Sequence, residues 1–462
     1  MMKVATTQSW FAVLVVVVMA VCLLVYKTPH LKTFGEELGT IKEQLAPRVG
    51  QYTRWGPSIS FTDGESDVIK MHRERREHMR KVCDEKRDQY FSEKMRKGMG
   101  GDEFLVDDVH GLVYCPVPKV GCSFWKRVFA ILDGKHKSSY LFNLSSVSIH
   151  NTRAAYDRLK QKPLLMKYFL LQSSTKFMFV RDPYERLFSG YIDKIFTPNA
   201  LGVRLSKQIS PNSDHPTSCA TDATFTEFLR YVTHSNSVNQ HFKPAYSKCF
   251  PCHVDYDVIG KMETFRQDTE FILKSAGVDP RSVFGSVSSF DENSDLSIMM
   301  DVAARTFQCL PGCGGCLSKW QVMRRMWATF QVRGYLSINV TFPLSPVKSE
   351  KVTLSQVQDL LKDAYRSSGD HSVTKRQRKA AMMETYYSVP RTVLKELEAY
   401  VSVDCALFGY DCSVESRFNE SSRPVPVFHL DTLLGRVQSN TTKPKPRAKT
   451  IAAINYDRRH LQ

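Results

Sequence analysis

The 462-residue chain is 42% hydrophobic and 24% charged, ordinary globular proportions with ample core, which excludes a chain disordered throughout. Its length allows one large domain, or two to three small ones at roughly 150 residues each. A formal net charge of +17 points to acidic partners; nucleic acid, anionic lipid headgroups and sulfated or uronic-acid glycans all qualify, and charge alone does not choose.

Trp10 to Tyr26 is an uninterrupted apolar run, longer than a usual signal-peptide core, without a clear A-x-A cleavage site and at the short end of what spans a bilayer. A signal anchor is the expected reading, with residues 1–9 as a cytoplasmic tail and a cleaved signal as the alternative. Lys3 precedes the run while Lys27 and Lys32 follow it, so flanking charge says little about orientation. Either reading places the bulk of the chain in the secretory lumen, and N-x-[ST] sequons at Asn143, Asn339, Asn419 and Asn440 agree. Residues 27–101 show no strand pattern and are expected to form a stem. Within it the densely charged Asp67 to Lys97 predicts a solvated helix with mixed-sign i,i+4 pairs, rather than a dedicated polyanion-binding stripe.

Gly111 to Leu132 reads as a short apolar strand, a tight loop and a helix whose Trp125, Val128, Phe129 and Leu132 share one face. A loop that ends a strand and opens a helix points backbone N–H groups and the positive end of the helix dipole at one spot, as a phosphate site requires. Gly121 lets backbone approach a ligand, Lys119 supplies a mobile charge and Ser123 a hydroxyl. The pattern G-x-x-x-x-G-K-[ST] is absent, so an ordinary P-loop NTPase is not indicated. Tyr140 to Leu144 then looks strand-like and Asn151 to Gln161 helical.

Lys176 to Val180 is a second buried-type strand. The next residues place Asp182 as N-cap, Pro183 at N1 and Glu185 at N3, a capping box, with Tyr184, Leu187, Phe188, Tyr191 and Ile195 as the inward stripe. Arg181 at the strand's carboxyl end and Ser189 on the helix then sit where open α/β sheets bind ligands.

PKVGCSFWKRV and FVRDPYERLFSGYIDK together closely resemble the two donor-binding motifs of the Golgi membrane-bound carbohydrate sulfotransferases, the group containing the chondroitin and dermatan 4-O-sulfotransferases. The resemblance implies that Pro118, Lys119, Val120, Gly121, Cys122, Ser123 and Phe124 hold the 5′-phosphosulfate of 3′-phosphoadenosine 5′-phosphosulfate (PAPS). It implies that Arg181, Asp182, Pro183, Tyr184, Glu185, Arg186, Leu187, Phe188 and Ser189 hold its 3′-phosphate. Phe124 departs from the pattern, which usually has asparagine there.

Further along, Pro198 to Thr221 is polar and reads as a loop bordering the acceptor, and Phe225 to Val232 as an amphipathic helix. An N-x-H-aromatic unit at Asn239, a C-x-P-C pair at Cys249 and Cys252, and YDVIGKMET also resemble the family in order. Tyr256 to Gly260 predicts a strand and Gln267 to Ala276 a helix ended by Gly277. The resemblance closes on the helix ending in LFGY and covers about Asp107 to Asp411, apart from Phe284 to Arg378, an unmatched insertion with Cys309, Cys313 and Cys316. There Trp320, Met323, Trp327 and Phe330 recur at helical spacing and read as core. Residues 102–415 are thus expected to form the lumenal catalytic domain. Ser421 to Gln462 reads as a disordered basic tail, itself part of 416–462.

Cys249-x-x-Cys252 with Cys313-x-x-Cys316 has the form of a zinc site, but an oxidising lumen favours disulfides, with connectivity left open. The resulting expectation is an α/β, P-loop-like sulfotransferase fold with a central mostly parallel sheet. It would move a sulfuryl group from PAPS to a glycan hydroxyl, with a glycan acceptor, a membrane anchor, no metal and no nucleic acid. Lys119 would stabilise the leaving oxygens and His241 would act as base, with His110 and Glu263 as the other candidates. A nucleotide transferase using ATP and a non-catalytic polyanion-binding module are the alternatives.

Overall fold

The computed structural model describes residues 66–90, 103–134, 140–144, 149, 156–210, 222–285, 290–313 and 317–434. The apolar run at 10–26, most of the expected stem, Asn440 and the last 28 residues lie outside them. Among the described residues no helix is long and apolar enough to cross a membrane.

The first helix, α1 (Asp67–Tyr90), is followed by strands β1 (Leu105–Asp107) and β2 (Leu112–Cys115), then α2 (Cys122–Leu132) and β3 (Asp157–Arg158). Next come α3 (Leu164–Ser173), β4 (Thr175–Val180), α4 (Pro183–Tyr191) and a π turn at Ile192–Phe196. Then follow α5 (Ala200–Ile209), α6 (Phe225–His234), β5 (Val258–Lys261) and α7 (Phe265–Ser275). The remaining long helices are α8 (Phe290–Cys313), α9 (Lys319–Val332), α10 (Leu354–Ser367), α11 (His371–Tyr387) and α12 (Arg391–Phe408).

The sheet runs β3-β1-β2-β4-β5. Its three longest strands are parallel, with Tyr114 opposite Phe177 and Phe177 opposite Val258, while β1 and β3 add an antiparallel edge. All six residues of β4 except Thr175 are buried, the continuous apolar run expected of a strand covered on both faces. On one face α2 lays Trp125 against Phe177, 4.5 Å between ring centroids, and Phe177 stacks on Tyr114 at 4.9 Å. A second core gathers around α4, α6, α11 and α12, and a third joins α8, α9 and α10. Of the expected stripe, Met323, Trp327 and Phe330 belong to the third, whereas Trp320 is only half-buried and its indole N–H donates to Leu344 O at 2.9 Å. The carboxyl ends of β2, β4 and β5 share one edge of the sheet, so the loops after Cys115 and Val180 emerge side by side.

Five local expectations change. Tyr140 to Leu144 is not a strand: Leu141–Asn143 is a 3-10 turn whose Phe142 packs on Phe290 of α8 at 5.9 Å. In the described part of 151–161, residues 157–158 pair with β1 and Leu159–Gln161 is a 3-10 turn; the sheet edge captures the segment, as Leu159 N–H donates to Phe104 O at 2.8 Å. Within the expected loop at 198–221, α5 forms because Leu201, Leu205 and Ile209 make a stripe and Asn199 caps it.

The fourth is α1, which is helical but not merely solvated. Arg75 reaches from it to donate to Ile259 O, Asp268 Oδ2 and Thr264 Oγ1, and Met79 and Cys83 are buried. Fifth, the supposed tail is packed as far as Leu434. Phe418, Leu430 and Leu434 are buried, and the Glu384 carboxylate accepts from the N–H groups of Val427, Phe428 and His429.

The cysteine expectation is met as disulfides, and the pairing is one the spacing did not give. Cys249 bonds to Cys115 and Cys252 to Cys83, while Cys309 pairs with Cys313 and Cys405 with Cys412. Cys249, Cys252 and Cys313 are therefore taken up in disulfides, and Cys316 lies outside the described residues. Asn143, Asn339 and Asn419 are all exposed.

Candidate active site

The loop from β2 to α2 turns through two left-handed residues, Lys119 at φ 71° and Gly121 at φ 80°. A non-glycine residue in this region is held there against its own preference, which recurs at functional sites. At Gly121 a Cβ would stand 2.4 Å from the Phe265 ring, so glycine is required sterically as well. Gly121 is also the N-cap of α2 and offers no side-chain cap, so the opening turn presents backbone N–H groups beside the lysine.

Lys119 points toward α4. A Cβ on Gly190 would meet the Phe242 ring at 3.1 Å and the Lys119 Cγ at 4.0 Å, so loop, helix and the His241–Phe242 segment converge there. Lys119 Nζ donates to Asp193 Oδ2 at 2.9 Å. Asp193 lies in the π turn, an irregularity common at functional sites, and gathers three more cations: Lys194 at 3.1 Å, Arg305 at 3.1 Å and Arg333 at 4.0 Å. Its carboxyl is held well below the usual range, because these charges outweigh the burial that would raise it. Burial lowers the Lys119 ammonium to about 7, with Asp193 opposing and Arg333 and Lys194 assisting.

His241 stands beside this cluster. Burial lowers its imidazole to about 3, aided by Lys194 and Lys119. Its Nδ1 lies 2.7 Å from Asn239 Oδ1, an acceptor, so Nδ1 carries the proton and Nε2 keeps its lone pair. The N-x-H spacing thus fixes a tautomer. Arg186, buried, donates to the carbonyls of His241, Phe242 and Lys243 at 3.4, 3.3 and 2.7 Å; it pins the histidine segment to α4. The other two base candidates are engaged with other partners. His110 lies at the opposite end of β2, hydrogen-bonded to Asp107 Oδ2 at 2.7 Å, and Glu263 accepts from the Tyr410 hydroxyl at 3.2 Å.

At the end of β4, Asp182 caps α4 by accepting from Glu185 N–H at 3.0 Å, with Pro183 in the first turn. The other half of the expected capping box is not formed. The Glu185 carboxylate instead receives Arg181 Nε and Nη2 at 3.1 and 2.8 Å and Arg378 Nη2 at 3.1 Å. Arg417 pairs with Asp182 and covers the Tyr184 ring, while the Tyr184 hydroxyl donates to Cys412 O at 2.9 Å. Ser189 is half-buried one turn beyond Glu185 on the same face.

Several motif residues are thereby placed as scaffold. Val120, Tyr184, Leu187 and Phe188 are buried in the cores. Phe124, the departure from the motif, is packed edge-on against Phe265 and Phe290 at 5.2 and 5.7 Å, so its side chain is core. Cys122 is a free thiol. Sequence reasoning missed Asp193, Lys194, Arg305, Arg333 and Arg378. The first two stand four and five residues past Ser189, close enough to have been noticed; the arginines carry no local signal. A separate cavity of about 190 Å³ between α1, β5 and the end of α12 is lined by Arg75, His78 and Lys261. Two of these are committed to the last carbonyls of α12, His78 to Ala406 O at 2.8 Å and Lys261 to Phe408 O at 2.7 Å.

A strand-to-helix turn carrying Lys119 thus lies next to an arginine-lined helix start, both at the carboxyl edge of the parallel strands, where open α/β sheets bind ligands. A family model described as "Sulfotransferase family" matches residues 102–304. Carbohydrate sulfotransferase 11 of Rattus norvegicus is 31% identical over 245 residues, 50% of this chain and 68% of that protein. Carbohydrate sulfotransferase 14 of Danio rerio is 32% identical over 247 residues, 49% of this chain and 63% of that protein. Carbohydrate sulfotransferase 9 of Homo sapiens is 32% identical over 206 residues, 42% and 46% of the two chains. No solved structure matches. The chain belongs to the carbohydrate sulfotransferase family, and it is an enzyme that draws on a sulfuryl donor.

Proposed function

We propose that the enzyme moves the sulfuryl group of PAPS to a hydroxyl of a glycan, either an acidic or sulfated polysaccharide or a glycoprotein N-acetylgalactosamine or similar sugar. The observation that carries this is the meeting of Lys119, Lys194, Arg305 and Arg333 on one buried carboxylate, with the His241 ring alongside. The 5′-phosphosulfate would lie against the Gly121 turn with Lys119 and Lys194 on its bridging oxygen. The acceptor hydroxyl attacks sulfur, its proton passes to His241 Nε2, and the S–O bond to the phosphate breaks as Lys119 meets the charge left on 3′,5′-adenosine bisphosphate. Arg181 and Ser189 would read the 3′-phosphate.

The exposed sequons and the disulfides support a lumenal catalytic domain, and the apolar run at 10–26 supports a Golgi type II signal anchor. The test is transfer from labelled PAPS to a panel of sulfated, uronic-acid and neutral glycans. Lys119→Ala should abolish transfer while the fold holds, since Asp193 keeps Lys194, Arg305 and Arg333 as partners; full activity in that variant would remove the mechanism.

A further inference from the structure

Glu185, Ser189 and Asp193 follow one another at i, i+4 and i+8 along α4 and into the π turn, so they form one row about 12 Å long. Each end of the row is a carboxylate crowded by more cations than it can neutralise. Asp193 faces Lys119, Lys194, Arg305 and Arg333; Glu185 faces Arg181 and Arg378, with all three guanidinium contacts falling on its single oxygen Oε2. Burial and the charge of Arg378 both disfavour the Arg181 cation, and Glu185 and Asp182 oppose them.

Tyr335 joins the two ends. Its hydroxyl receives Arg333 Nη2 at 3.2 Å, the Arg333 guanidinium lies 5.1 Å from its ring centre, and Arg378 and Arg181 act on it electrostatically. Gly334, at φ 72°, makes the turn that places Arg333 and Tyr335, because a Cβ there would stand 2.3 Å from Thr374 O on α11, the helix that carries Arg378. Six cations against two carboxylates, with the Asp182–Arg417 pair cancelling and Asp295 also acting on Arg333, leave a formal excess of three to four positive charges. A nucleotide with a 3′-phosphate dianion and a 5′-phosphosulfate carries four negative ones.

We propose that three arginines lying beyond the residues matched by the family model complete the donor site: Arg305 and Arg333 at its 5′ end, and Arg378 as the second guanidinium on the 3′-phosphate. The proposal rests on the PAPS reading above and goes beyond it, since it assigns half of the donor's cationic shell to the insertion. Glu185 and Asp193 occupy the two anion seats as internal counterions and keep the cations assembled until donor arrives. Arg378, 44% exposed, is free to swing from Glu185 to a phosphate, whereas Arg181, at 8%, is held.

The test is titration of 3′,5′-adenosine bisphosphate and 5′-AMP into the full chain and its variants. Wild type should bind the bisphosphate more tightly; if it does not distinguish the two, the PAPS reading falls and this proposal with it. Arg378→Gln should weaken the bisphosphate about tenfold or more and leave 5′-AMP unchanged, with Arg378→Lys recovering part of the loss. Arg305→Gln should weaken both nucleotides by a similar factor. If wild type discriminates but Arg378→Gln keeps its ratio of affinities, Arg378 only steadies the start of α4 and the proposal is overturned. Unchanged 5′-AMP affinity in Arg305→Gln would overturn its 5′ half.

Discussion

The Lys119 ammonium and the His241 imidazole are lowered together, to about 7 and about 3, and burial is the largest cause for both. The other lowering influence is a crowd of cations that lacks an anion of matching charge. An anionic donor supplies one, so binding should raise both groups, restoring Lys119 as a full charge and His241 as a useful base. The expected outcome is that the His241 ring, followed by NMR, stays neutral down to about pH 4 in the free enzyme. With 3′,5′-adenosine bisphosphate bound it should move up toward the ordinary imidazole value of about 6.5. A ring indifferent to nucleotide would place it away from the donor. Replacing His241 by Asn should cut turnover by about two to four orders of magnitude while donor affinity stays nearly unchanged. Donor binding that fell in step with rate would make the residue structural.

At the scale of the element, α4 shows what a sequence discloses and what it withholds. Its N-cap, its proline, its buried stripe and the strand before it follow from local rules, and the structure reproduces each of them. The Lys119 loop was legible for the same reason: strand, glycine turn and helix are consecutive in the chain. The π turn was not legible, and nor was the turning of Glu185 away from its box toward Arg378, 193 residues later. Those outcomes depend on α8, α9 and α11 packing against α4, and arginines scattered over such helices have no period to betray them. The same holds for α1, whose charged surface reads as solvated although Arg75 ends on a buried carboxylate. For Arg181 the pairing with Glu185 does not remove a ligand role, because the carboxylate is shared. Charge-assisted hydrogen bonds contribute ~1.5 to 3 kcal/mol, so Arg181→Ala should weaken 3′,5′-adenosine bisphosphate roughly ten- to a hundredfold, toward the affinity of 5′-AMP. Equal weakening of both nucleotides would show a helix-start role only.

For the whole molecule, acid stability is set by buried histidines as well as by carboxylates. His72 of α1 is lowered to about 4, because burial outweighs the attraction of Asp268, 3.4 Å away. Its folded value lies below its unfolded one, so between about pH 6.5 and 4 the unfolded chain binds the extra proton and stability falls as pH falls. His241 adds to this slope. Asp295, raised to about 6 by burial, works in the opposite sense between pH 3.8 and 6, since there the folded state holds the proton. The expected result is that His72→Asn has a shallower fall in unfolding free energy from pH 6.5 to 4.5 than wild type, measured by denaturant titration. An unchanged slope would mean that His72 is protonated in the folded protein.

The Cys83–Cys252 and Cys115–Cys249 bridges are nested, closing over 169 and 134 residues. During synthesis Cys83 and Cys115 both leave the ribosome long before either rightful partner exists, and for that interval the free thiol of Cys122 stands seven residues from Cys115. When Cys249 and Cys252 appear they do so almost together, three positions apart, so the exchanged pairing is as close at hand as the native one. Only the docking of α1 on β5 and α7 and the placing of Cys249 at the end of β2 tell the two sulfurs apart. The order of the chain therefore leaves the exchanged pairing open to each new sulfur, and the native one is selected by packing rather than by proximity along the chain.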